Sequence, residues 1–308
     1  MIVRPRLHWF PLLFVWRGSV LPQISGRLLL IFAVSVGSVL GRDWWMQHYP
    51  DSALSIPPFT LMGIALAIFL GFRNSVSYER FWEARKQWGL LLIVARNLVI
   101  KLCSQLPGSE HEALRHEMTR AIAAFAFALK HQLRGSDPAA DLGERLSPKL
   151  RDAALAGRFP AQLILAALAR RLAALRRDGA LAEMEWLALG GDLDRLGEVA
   201  GACERIANTP IPYTYRVLMN RTIVIYCLLL PVGLTTTLGW LTPLIATFVA
   251  YTFLALETVG EQLEEPFGTE ANDLALDALC HTIETTTCEL AGLAPLGQVP
   301  PVKGFVLT

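Results

Sequence analysis

Charge is scarce in this chain. Asp, Glu, Lys and Arg make up 18% of its 308 residues, against about 25% in an ordinary soluble domain. Net charge is also nearly absent, at +1, so no basic field calls for a nucleic-acid partner. Cysteines number five. They are scattered, odd in count and never spaced CxxC, which excludes a disulfide framework and a zinc ribbon and leaves reduced thiols. Strand-like alternation, internal repeats, P-loops, GxSxG and HExxH are all missing. What the chain has instead is 53% hydrophobic residues, and their placement decides the class.

They fall in blocks. Leu28–Gly41 is uncharged and reaches span length with its flanks, about 24–46, leaving Arg27 at one rim and Trp44 and Trp45 at the other. Residues 52–72 form a second uncharged block. Residues 222–256 form a third, long enough for two spans, about 222–238 and 240–256. Thr235–Thr237, Gly239 and Pro243 supply the turn between them. Four spanning helices and an all-α fold follow. The intervening 73–221 and the stretch 257–292 read as cytosolic helices, and 293–308 as a tail. Ser109 and Glu112 suggest a capping box, Ser147-Pro148 a helix start, and Pro266-Phe267-Gly268 a break before a helix from about Asn272. Arginines 4, 6 and 17 interrupt the N-terminal apolar runs, so that segment reads as interfacial rather than as a cleaved leader.

Orientation follows from the basic residues. Of 28 Lys and Arg, all but Arg42 lie on one side of these spans, which makes that side cytoplasmic and places both termini there. Asp43 and Asp51 fall on the other side.

The second span carries a double stripe. Gly63, Ala67 and Gly71 recur every four residues, and so do Ile64, Ile68 and Phe72. A small stripe lets a neighbouring helix approach closely. The bulky stripe either faces lipid or, repeated around a symmetric ring, forms apolar rings that gate by dewetting. Beyond it, Glu79, Arg80, Glu83, Arg85 and Lys86 alternate in sign, as salt bridges on a solvated face or as a charged vestibule. Arg170, Arg171, Arg176 and Arg177 form a basic run suited to solvent or lipid headgroups. His111 and His116 share no helical face; Asp277 and His281, four apart, could pair near Cys280 and Cys288, as an ion pair or a zinc site.

Four motifs carry a resemblance. They are Trp16-Arg17-Gly18-Ser19; Phe72-Arg73-Asn74-Ser75 with the run Tyr78–Gly89; Ile211-Pro212-Tyr213-Thr214-Tyr215; and Glu264–Leu274 with Asp277. In that order they resemble the bestrophin family over nearly the whole chain, nearer its prokaryotic branch than its animal one. The resemblance implies a homopentameric channel in the inner membrane that passes small monovalent ions, with membrane lipids and further copies of itself as partners, no nucleic acid and no enzymatic role. It implies a neck at Ile64, Ile68 and Phe72 and a second, cytosolic constriction at Met184. Animal members bind calcium where this chain has Gln262, Glu265, Glu270 and Asp273, but the animal run of consecutive aspartates is missing, so no cofactor is required. A helix N-terminus is the other reading of that acidic stretch. Animal bestrophins conduct anions, which favours chloride; acids at the outer mouth would favour cations. A non-conducting scaffold is the reading from a different class.

Overall fold

Long apolar runs without interior breakers give long helices. The computed structural model describes residues 1–4, 8–16, 18–49, 56–302 and 305–307. The expectations placed on Arg6, Arg17, Asp51 and the start of the second span at 52–55 lie outside these residues. The helices are α1 (Trp9–Leu12), α2 (Leu21–His48), α3 (Ile56–Gln105), α4 (Glu112–Arg134), α5 (Ala139–Gly143), α6 (Pro148–Ala156), α7 (Pro160–Arg177), α8 (Glu183–Asn208), α9 (Tyr213–Leu238), α10 (Thr242–Glu264) and α11 (Leu276–Leu290). Two compact units result. One comprises 5–81 and 210–264, the other 1–4, 82–209 and 265–308. The boundary falls inside α3, a helix of 50 residues.

In the first unit α2, α3, α9 and α10 share one core. Ile24 and Ile31 of α2 meet Leu66 and Leu70 of α3, Ile223, Tyr226, Cys227 and Leu230 of α9, and Ala250 and Leu254 of α10. Among the described residues three segments are long and apolar enough to cross a membrane: Leu21–His48, Ile56–Gln105 and Tyr213–Glu264. The last is a hairpin, because α9 and α10 are joined by a 3-10 turn at Gly239–Leu241 and pack on each other. Gly239, with φ +52°, is the residue that admits the turn.

The bundle has a charged end and an aromatic end. Arg27 near the start of α2 reaches Glu257 near the end of α10, at 3.3 Å. Asn220 of α9 donates to the same carboxylate at 2.8 Å. At the opposite end Trp44 and Trp45 of α2 share a cavity of about 510 Å³ with Thr235 and Thr236 of α9. That is how a helix bundle sits in a bilayer with its basic residues on one side.

The second unit is built on the far half of α3, the Ala-rich α4, and α6, α7, α8 and α11. The middle of α4, Ala121–Lys130, is buried throughout, since alanine lets neighbours close in. Its ion pairs cross between helices. Lys130 donates to Asp141 and Asp277 at 2.7 and 2.8 Å, and Arg134 to Asp277 at 2.8 Å. Arg145 grips Glu284 with two hydrogen bonds of 2.8 Å.

Several local expectations are corrected. The Ser109–Glu112 box does not form: Ser109–His111 is a 3-10 turn, and α4 starts at Glu112 without a side-chain cap. The last helix starts at Leu276, not Asn272, because Asp273 closes a turn by accepting from Glu270 N–H at 2.7 Å. Asp277 and His281 do not pair; Asp277 is taken by Lys130 and Arg134, and His281 Nε2 lies 3.1 Å from the Gly297 carbonyl. The tail is tied down, with Ile2 and Val306 forming an antiparallel bridge.

Candidate functional site

The second span's double stripe lies on α3, and the core selects which face of it turns inward. Leu66, Leu70, Arg73 and Ser77 are buried. Their spacing of four, three and four keeps them on one side of the helix. Gly63 continues that side: a Cβ there would stand 2.7 Å from the Tyr226 hydroxyl. The small stripe therefore serves close packing within the chain at Gly63 only. Ala67 and Gly71 are exposed, with open space beside Gly71.

The bulky stripe points away from the core. Ile64, Ile68 and Phe72 are 56%, 54% and 66% exposed. Steps of four residues advance about 40° round the helix each time, so all three share one flank left exposed among the described residues. They lie just ahead of a tightly fixed segment. Glu264, the last residue of α10, accepts from Arg73 Nε and Nη2 at 2.9 and 2.7 Å. Its backbone carbonyl accepts from Arg80 Nε at 2.6 Å, a cation at a helix C-terminus. Gly260 lets α10 approach the side chain of Asn74. Three contacts thus set the register of α3 immediately after the apolar stripe.

Sequence reasoning quoted Arg73 and Glu264 within separate motifs and did not pair them. The signal was Arg73 directly abutting the second apolar block; Glu264 lies eight residues beyond the third, and the 191-residue separation hid it as the partner. Of the alternating charges further on, Arg80 is bound as above and Glu83 pairs with Arg205 at 2.6 Å.

Met184 stands on the first turn of α8, 76% exposed. Its neighbours hold that turn. Glu185 accepts from Ala182 N–H at 2.9 Å, Glu183 pairs with Arg176 at 3.1 Å, and the Arg176 guanidinium lies 4.6 Å from the Trp186 ring centre.

Two residues of the acidic stretch, Gln262 and Asp273, are engaged within the chain. Gln262 donates to Gln23 at 3.0 Å. The Asp273 carboxylate closes the turn at Glu270, and burial raises its pKa. Among the described residues no three His, Cys, Asp or Glu side chains converge as a metal site requires. At the position of the zinc alternative, the Cys280 thiol is buried and donates to the Ala126 carbonyl at 3.4 Å.

The profile of the family described as Bacterial/Fungal Bestrophin protein matches residues 1–289. The chain is 42% identical over 307 residues to the voltage-dependent anion channel-forming protein RSc3414 of Ralstonia nicotianae, with 100% of both chains covered. It is 40% identical over 309 residues to the voltage-dependent anion channel-forming protein YneE of Escherichia coli (strain K12), again with 100% of both covered. Among solved structures it is similar to a bacterial bestrophin homologue from Klebsiella pneumoniae. That match has 41% identity and a TM-score of 0.84 and covers 88% of this chain and 100% of the other.

Proposed function

The chain belongs to the bacterial and fungal bestrophin family, and on that premise we propose that it forms a homopentameric anion channel of the inner membrane. The observation that carries the reading is the uncovered stripe of Ile64, Ile68 and Phe72. In a ring of five copies these side chains form three stacked apolar collars. Such a neck holds back ions by the cost of stripping their water, and it conducts when it widens and wets. Ala67 and Gly71, exposed beside the stripe, give a neighbouring copy room to pack closely. Met184 supplies the cytosolic constriction. The charged end of the bundle faces the cytoplasm, and both termini lie there.

An apolar neck carries no charge with which to choose sign. The names of the relatives favour anions. The test is purified protein in a planar bilayer under a chloride-salt gradient. Single-channel currents reversing near the chloride equilibrium potential are expected. Reversal near the cation potential would overturn the anion reading and keep the channel. Silence from intact pentamers would overturn the channel and leave the scaffold.

A further inference from the structure

At the charged end of the membrane bundle lies a cavity of about 230 Å³ whose wall carries four arginines (Arg27, Arg73, Arg216, Arg221) and two glutamates (Glu257, Glu261). The charges resolve pair by pair. Arg27 meets Glu257 at 3.3 Å and Arg216 meets Glu261 at 3.8 Å. Arg73 is matched by Glu264, outside the cavity wall, at 2.7 Å. Arg221 has no ion pair among the described residues. One positive charge is therefore left over, on an exposed side chain.

A second observation points into the same cavity. Arg73 is 2% exposed, and Glu264 takes only its Nε and Nη2. Its third nitrogen, Nη1, is buried with no hydrogen-bond partner among the described residues. A buried guanidinium donor left unmatched is costly, and an anionic oxygen is its natural partner. One surplus positive charge beside one unmatched donor suits a singly charged phosphodiester better than a dianionic phosphate.

The surroundings say where such a group comes from. Arg221 lies on the same face of α9 as Ile225, Leu229 and Val232, at spacings of four, four and three. Those three are exposed apolar residues running away from the cavity into the hydrophobic stretch of α9. A headgroup at the arginines would lay an acyl chain along them.

We propose that this cavity binds the phosphodiester headgroup of an anionic phospholipid, with Arg221 and Arg73 Nη1 as its donors. The proposal rests on α9 spanning the membrane and on no property of the pore. Its readout is binding, so failure here and failure of conduction are separate results.

The experiment is native mass spectrometry of the full-length protein, purified in detergent and titrated with phosphatidylglycerol, phosphatidylcholine or inorganic phosphate. Phosphatidylglycerol should be retained about fivefold more than phosphatidylcholine, whose choline cation meets a positive site. Arg221→Gln should remove that preference, while Arg195→Gln, an arginine exposed on α8, should leave it unchanged. Equal retention of the two lipids, or an undiminished preference in Arg221→Gln, would overturn the proposal. Displacement of phosphatidylglycerol by millimolar inorganic phosphate would overturn the lipid assignment in favour of free phosphate.

Discussion

Arg73 and Glu264 are 191 residues apart in sequence and share two hydrogen bonds through a single carboxylate oxygen. With side chains 1% and 11% exposed, the pair pins the pore-candidate helix to the end of α10. Removing one partner leaves a buried charge uncompensated. Arg73→Gln or Glu264→Gln should therefore lower stability by about 3–5 kcal/mol, read as earlier thermal unfolding in detergent. A double replacement, Arg73→Met with Glu264→Leu, should recover part of that loss. If it unfolds earlier than either single variant, the pair is not the source.

Truncating the middle collar should open the neck. Ile68→Ala removes apolar bulk from a narrow ring and favours wetting, so open probability or unitary conductance should rise. An unchanged current would remove Ile68 from the pore lining. Cysteine accessibility at Ile64, Ile68 and Phe72 gives an independent check, because a water-filled neck labels all three with soluble reagents and a lipid face labels none.

Gly63 and Tyr226 should behave as a coupled pair. A methyl at position 63 meets the Tyr226 hydroxyl at 2.7 Å, so Gly63→Ala should cost about 1–3 kcal/mol of stability through overpacking. Tyr226→Phe removes the obstructing oxygen and should restore most of it. Additive losses in the double variant would show that the contact is not the cause.

Acid should loosen the second unit at Asp141. The hydrogen bond from His131, together with Lys130, outweighs burial and holds this carboxyl well below its ordinary 3.8. A depressed carboxylate stabilises the fold above its unfolded pKa and loses that contribution as pH falls toward the folded one. Unfolding followed from pH 7 downward should therefore show stability declining below about pH 4. Asp141→Asn should flatten that decline and cost about 1–2 kcal/mol at neutral pH.

Much of the architecture was readable before any coordinates. Uncharged blocks located the spans, and Gly239 marked the hairpin, because only a few residues tolerate its positive φ. The helix start at Pro148 and the break at Pro266–Gly268 fell where expected. The apolar stripe of Ile64, Ile68 and Phe72 was legible as a period of four. What misled were motifs with two outcomes. Ser109 and Glu112 fit a capping box, yet Gly108 with φ +92° leads into a 3-10 turn instead. Asp277 and His281 have pair spacing, yet stronger cations from α4 claim the aspartate.

By itself the sequence determined that this is an all-α membrane protein, where its apolar blocks fall, and which residues make an apolar stripe. These are local or compositional properties, set by hydropathy and helical period. Only the tertiary structure decided which flank of α3 is buried, that Arg73 is held by Glu264, and that Arg221 stands as an unmatched charge beside a buried donor. Those facts depend on contacts between residues far apart in the chain, where any of several opposite charges could have served and packing admits one.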